Sequence, residues 1–175
     1  AKKSKLGYLI LVEGYMDVIA LHAAGFENAV ATLGTALTQE QARMMTKYTK
    51  KVVLLYDSDD AGQRATDRAI KILSEVGMDV RILKLNGAKD PDEYIKKFGA
   101  DRFRALLGES RTGFDFKVSR ALANLDLQIP DEKIKASAAI CEIIADSASG
   151  VEREVFLTKA SELLKLPIDV LRNNV

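Results

Sequence analysis

Val52-Val53-Leu54-Leu55-Tyr56-Asp57-Ser58-Asp59-Asp60-Ala61-Gly62 is an apolar, partly β-branched run that stops on a burst of carboxylates. A run of that kind followed by a helical pattern reads as a strand buried on both faces, the habit of parallel sheets covered by helices. The carboxyl end of such a strand opens into the crevice where these sheets bind ligands. A lone carboxylate there is costly to ionise, so several together point to a divalent cation that they share. A second run of the same type, Tyr8-Leu9-Ile10-Leu11-Val12, delivers Glu13-Gly14.

Working outward from these two runs, the first hundred residues alternate strand and helix patterns in a βαβαβαβ order. Strands are expected over 8–12, 28–32, 52–56 and 79–85, with no further strand after Asp90. The first helix places Val18, Leu21, His22 and Gly25 along one side. Leu33-Gly34-Thr35 turns the chain, and Thr38-Gln39-Glu40-Gln41 has the form of a capping box opening a helix that ends near Lys50. The next helix runs from about Asp60 to Val76, with Gly77 as its C-terminal cap. Right-handed crossovers and a strand order 2-1-3-4 set Glu13 beside Asp57 and Asp59. From Asp90 onward only helical patterns remain, expected over 114–125, 131–145, 152–164 and 168–175. The fold class is therefore α/β, a parallel sheet of about four strands covered by helices over 1–108, followed by a small helical bundle over 109–175.

Composition narrows the function. The chain has 175 residues, 47% hydrophobic and 29% charged, enough for cores in one or two globular domains. Lys and Arg number 26 against 25 Asp and Glu, so a self-sufficient basic nucleic-acid binder is not expected. Between Arg111 and Val175, nine cations face ten carboxylates, the mixture of a solvated surface. The single cysteine, Cys141, excludes an internal disulfide framework and fits a reducing, cytoplasmic compartment. No run is long enough to span a membrane, and the start Ala1-Lys2-Lys3-Ser4-Lys5 suggests a piece of a longer protein.

In extended geometry Asp57 and Asp59 point the same way, as residues i and i+2 of a strand do, and two such carboxylates can grip one cation. Mg²⁺ is commonly held by one or two carboxylates plus substrate phosphates. Asp90-Pro91-Asp92-Glu93 follows the fourth strand onto the same edge and could serve a further ion.

These residues resemble the TOPRIM domain, and within it the catalytic core of bacterial primases of the DnaG type. Glu13-Gly14-Tyr15-Met16-Asp17 is similar to the primase glutamate motif, Asp57-Ser58-Asp59-Asp60-Ala61-Gly62 to the DxD motif, and Asp90-Pro91-Asp92 to the later acidic pair. Ala31-Thr32-Leu33-Gly34-Thr35 resembles the segment between the first two motifs. The resemblance is strong over 6–108 and weaker over the helices. It implies that Glu13 is a general base or metal ligand, that Asp57 and Asp59 bind Mg²⁺ or Mn²⁺, and that Asp90, Asp92 and Asp17 complete the centre. The implied reaction is nucleotidyl transfer: a primer 3′-hydroxyl attacks the α-phosphorus of a ribonucleoside triphosphate on a single-stranded DNA template, and pyrophosphate leaves. Implied too are a replicative helicase partner through the full-length protein and a place at the bacterial replication fork. The zinc-binding module, the basic N-terminal half of the core and the helicase-binding domain are not expected within this chain, so the chain alone is expected to make little or no RNA.

Blander readings stand beside these. Asp90 and Pro91 suit an N-cap and the first helical position, and Asp60 suits a cap. Asp17 is nearly as well explained as a surface carboxylate, and His22 as a packed or half-exposed side chain. Cys141 belongs with Ile140, Ile143 and Ile144 on a core stripe, Tyr15 and Met16 read as packing residues, and Lys47, Lys50 and Lys51 as a solvated helix end. Among rival functions, a phosphoreceiver would want paired acids after the first strand and a fifth strand followed by lysine. A TOPRIM nuclease or topoisomerase shares the acidic site, but no tyrosine has the context of a nucleophile, and a non-catalytic TOPRIM scaffold would not need the full acidic set.

Overall fold

The computed structural model describes residues 6–33, 36–56, 59–147 and 149–175. Asp57 and Ser58, the Gly34-Thr35 turn and Ala148 lie outside the described residues, as does the side chain of Asp60. The chain divides into two compact units, Ala1–Thr112 and Gly113–Val175.

In the first unit the elements run β1 (Leu9–Val12), α1 (Tyr15–Ala23), β2 (Ala29–Ala31), α2 (Gln39–Met45), β3 (Lys51–Leu54), α3 (Asp60–Glu75), β4 (Asp79–Ile82), α4 (Pro91–Phe98), α5 (Ala100–Gly108) and β5 (Arg111–Thr112). The sheet order is β2-β1-β3-β4-β5. The first four strands are parallel, with Leu11 opposite Leu54 and Leu54 opposite Ile82. The expected 2-1-3-4 arrangement is present, and one expectation is corrected: a fifth strand exists. Arg111–Thr112 pairs antiparallel with β4 at the sheet edge, Arg81 opposite Thr112. Two polar residues carry no apolar alternation, so no hydrophobic pattern announced them.

Period two sorts the strand side chains into two layers. Ile10, Val12, Val53 and Leu55 pack with Leu21 of α1, with Phe26, with Tyr94 of α4 and with Phe103 and Leu107 of α5. Phe103 anchors this layer edge-on to Phe26, with ring centroids 4.9 Å apart, and to Tyr94 at 5.9 Å. The alternate residues Leu9, Leu11, Val52 and Leu54 are buried on the opposite face, where α2 contributes Ala42 and Met45 and α3 contributes Ala69, Ile70 and Leu73. With both faces covered, the strands must be apolar throughout, which is why 52–56 reads as it does.

Helix boundaries follow their caps. Thr38 accepts from Gln41 N at 3.2 Å while Gln41 Oε1 accepts from Thr38 N at 3.0 Å, a reciprocal box. This helix ends at Met45, earlier than Lys50, and single turns carry the chain through Thr49. At the end of α3, Gly77 adopts φ +74, the left-handed conformation expected of a C-terminal glycine.

The second unit contains α6 (Gly113–Ala121), α7 (Pro130–Ala145), α8 (Gly150–Leu164) and α9 (Ile168–Arg172). Its core joins Phe114, Val118, Ile140, Ile144, Leu157, Leu164 and Leu171. Each fully buried Ile or Leu of this kind contributes about 1.5–3 kcal/mol relative to exposure. Cys141 is buried in the same core, as its stripe indicated, and burial raises its thiol pKa. Ser149 caps α8 through Glu152 N at 3.1 Å, and Pro130 occupies the first turn of α7.

Candidate active site

Parallel pairing dictates where the acids go. Since Leu11 lies opposite Leu54, and Leu55 N donates to Leu11 O at 2.9 Å, continuing the register sets Glu13 beside Tyr56. The exit of β2 braces the same point: Thr32 N donates to Val12 O at 3.2 Å and Leu33 N to Glu13 O at 3.1 Å. Leu33 does so at φ +61, the left-handed region that non-glycine residues rarely adopt, which marks this corner as strained. Glu13, half-buried, is thus fixed at its backbone before α1 begins.

Tyr56, in the sequence only the end of a strand, is part of this corner. Among the described residues its buried Oη has no hydrogen bond of good geometry. Burial pushes the phenol up to about 12; the neighbouring Thr32 side chain opposes this and the Glu13 carboxylate adds to it. A tyrosine closing a buried strand just ahead of Asp-x-Asp is the signal that could have identified it.

Each remaining acid stands at a helix start, where unsatisfied N–H groups and the helix dipole favour negative charge. Asp59, exposed, is the N-cap of α3 and accepts from Gly62 N at 2.7 Å, so the cap is Asp59 and not Asp60. Asp90 caps α4 by accepting from Glu93 N at 2.7 Å, with Pro91 following as expected. Asp92 pairs with Lys96 at 2.5 Å and raises the pKa of that lysine. Glu93 is held below the usual carboxylate range, first by the Lys89 N–H and then by Lys97. Asp17 accepts from Gly14 N at 3.3 Å, and a Cβ on Gly14 would stand 3.2 Å from that carboxylate, so the short Glu-Gly-x-x-Asp turn has little room for a side chain.

The structure therefore collects Glu13 and Asp17 at the start of α1, Asp59 after β3, and Asp90 and Asp92 at the start of α4, a helix packed against α1. Among the described residues, no three His, Cys, Asp or Glu side chains converge closely enough to hold a metal ion. Asp57, the other member of the DxD pair, lies outside the described residues. The donor chemistry fits a hard cation: every candidate is a carboxylate, and the caps orient Asp59 and Asp90 through one oxygen each.

Three other readings can be set against the structure. Tyr15 and Met16, expected to pack, are 63% and 61% exposed because α1 turns its Leu21 side to the core. His22 is exposed, with Nε2 3.1 Å from Ala29 O. Lys47, Lys50 and Lys51 are exposed, as a solvated helix end should be.

Comparison with known proteins bears on the whole chain. Residues 10–95 match a family model described as Toprim-like, and residues 114–169 match one described as the DnaB-helicase binding domain of primase. A DNA primase of Clostridium acetobutylicum is 43% identical over 163 residues, 93% of this chain and 27% of that protein. Along nearly its whole length the chain is similar to bacterial DNA primases. It spans about a quarter of the length of the curated primases it matches. Among solved primases, a structure of the zinc-binding and RNA polymerase domains of the Aquifex aeolicus primase is 36% identical with a TM-score of 0.75, covering 97% of this chain and 40% of that one. A DNA primase domain from Pseudomonas aeruginosa is 28% identical with a TM-score of 0.80, covering 99% and 55%. TOPRIM primases use a divalent metal. The match over 114–169 corrects one expectation: a segment described as helicase-binding does fall within this chain, on the second unit. The fifth strand, antiparallel and at the edge, does not revive a phosphoreceiver. No helix among the described residues is long and apolar enough to cross a membrane.

Proposed function

We propose that the α/β unit is the metal-binding, catalytic part of a DNA primase, in which ribonucleotides are joined on a single-stranded DNA template. The observation that carries this reading is topological. Three adjacent parallel strands, β1, β3 and β4, each run into a carboxylate-bearing segment, in a chain whose primase relatives match nearly all of it. Glu13, Asp57 and Asp59 are the catalytic set. Glu13, braced through its backbone and half-buried beside Tyr56, accepts the proton of an attacking 3′-hydroxyl; the bond to the α-phosphorus forms as the bond to pyrophosphate breaks. Asp57 and Asp59 would hold the cation, Mg²⁺ or Mn²⁺, and Asp90, Asp92, Asp17 and Glu13 would extend the acidic field for a further ion. When bound, such cations neutralise phosphate charge and stabilise the attacking and leaving oxygens. The enzyme works in the bacterial cytoplasm at the replication fork, as part of the longer protein.

In the full-length protein, Asp57→Asn and Asp59→Asn should each lower templated ribonucleotide incorporation on the order of 100-fold or more while the melting temperature hardly moves. Asn is nearly as good a helix cap as Asp, so the substitution at 59 separates chemistry from folding. Retained incorporation would make both residues structural.

A second reading concerns the helical unit. Its match to the helicase-binding model, together with exposed Ile134, Val151 and Val155 at 68%, 76% and 51%, supports a role in contacting the replicative helicase. Val151→Ser with Val155→Ser should weaken helicase binding to the full-length protein; unchanged binding removes this face from the contact.

A further inference from the structure

From Gln41 to Tyr56 the chain contains no carboxylate, although acids and bases are balanced overall. Within that stretch Arg43, Lys47, Lys50 and Lys51 are all exposed, and none makes an ion pair among the described residues. Ala42 and Met45 turn inward to the sheet, which leaves Arg43 and Met44 on the outer side of α2. Single-turn hydrogen bonds from Lys47, Tyr48 and Thr49 to Met44 and Met45 continue the helical path, so Arg43 with Lys47, and Met44 with Tyr48, form two side-by-side i,i+4 ridges.

Met44 and Tyr48 are 58% and 50% exposed, which the core does not require of two such large side chains. Like charges at i,i+4 cost stability, so folding does not ask for Arg43 and Lys47 together either. The platform itself is firm. Thr49 Oγ1 donates to Gly7 O at 2.6 Å and Asp79 N donates to Lys50 O at 2.7 Å, which pins the segment to the starts of β1 and β4. Among the described residues, Asp79 is the register partner of Lys51 without an ion pair between them, and Glu75 of α3 accepts from Gln39 Nε2 at 3.0 Å at the start of α2, not from the four cations. Cations that neutralise phosphates, interleaved with an aromatic and a thioether that bases can stack on, are the makings of a surface for single-stranded nucleic acid.

We propose that this basic and aromatic patch, at the amino end of the sheet and so opposite the acidic edge, binds a single-stranded nucleic acid independently of the metal site. An acidic protein partner would use the four cations but has less use for Tyr48 and Met44. The inference does not depend on the catalytic reading.

The test is fluorescence polarisation of a labelled single-stranded oligonucleotide with the 175-residue chain, in salt from 50 to 200 mM and without divalent metal. Four phosphate contacts predict a log–log salt slope of about −3. The variant R43Q/K47Q/K50Q/K51Q should lose at least about tenfold in affinity at low salt and flatten that slope, whereas Tyr48→Ala should weaken binding severalfold at an unchanged slope, with Tyr48→Phe restoring it. A charge-matched control, K117Q/K133Q/K135Q/K165Q on the helical unit, should change little. Circular dichroism melts confirm that each variant is folded. The proposal is overturned if the unaltered chain shows no binding, if the two quadruple variants lose affinity equally, or if Tyr48→Ala has no effect and an acidic peptide competes as well as the oligonucleotide.

Discussion

The two ends of the same sheet carry opposite chemistry. At the carboxyl ends of the strands stand Glu13, Asp17, Asp59, Asp90 and Asp92; at the amino ends stand Arg43, Lys47, Lys50 and Lys51. Part of this division is ordinary. Parallel strands joined by helices bring helix N-termini to one end and helix C-termini to the other, and the dipoles favour acids at the first and bases at the second. What the dipoles do not explain marks the functional residues. Glu13 precedes its helix, whose N-cap position is Gly14, yet its carbonyl is braced by Leu33 N at a strained backbone position. At the other end, Met44 and Tyr48 are large, apolar and exposed.

The comparison breaks most readily at Asp59. In the full-length protein Asp59→Asn should lower primer synthesis on the order of 100-fold or more, with little change in thermal midpoint, and the matching change at the amino end, Lys50→Gln, should leave the chemical step intact; a single-turnover assay reads both. Next comes Asp90. Asp90→Ala removes a cap and should cost about 1 kcal/mol in urea unfolding of the chain, whereas Asp90→Asn should cost only a few tenths. If the two variants are equally destabilised, Asp90 is held by something other than its cap.

Tyr56 supplies a smaller effect with a defined sign. Its pKa is raised from 10.0 to about 12 in the folded protein, so its contribution to stability is fully present below pH 10 and is lost as pH rises toward 12. Tyr56→Phe should remove that component, so that its melting temperature falls less steeply than the parent's between pH 10 and 12; parallel curves would show that the phenol titrates normally. Smallest of all, Gly14→Ala should cost stability modestly by crowding Asp17 Oδ2, seen as a slight drop in melting temperature that Asp17→Ala relieves.

Most of this architecture was legible in the chain itself. Runs such as 8–12 and 52–56 are apolar because both sheet faces are covered, so strand identity and order followed, as did the capping box at Thr38 and the cap at Asp90. The two-residue β5 was not, since an edge strand of Arg and Thr has no pattern to read. Neither was the exposure of Tyr15 and Met16: periodicity locates a helix, but which flank the neighbouring helices leave uncovered depends on packing. The acids were all legible as types and spacings. That Asp59 and not Asp60 would cap α3 was not, because adjacent acids compete for one N-terminus on geometry alone.

Mn²⁺ binding to the 175-residue chain, followed by electron paramagnetic resonance, tests most directly whether the acidic edge holds a divalent cation. Saturable Mn²⁺ binding that Mg²⁺ competes away, and that Glu13→Gln, Asp57→Asn and Asp59→Asn each weaken about tenfold or more while the basic-patch variants leave it unchanged, is the predicted result. Binding that survives all three acidic substitutions, or no saturable binding in the unaltered chain, would contradict it.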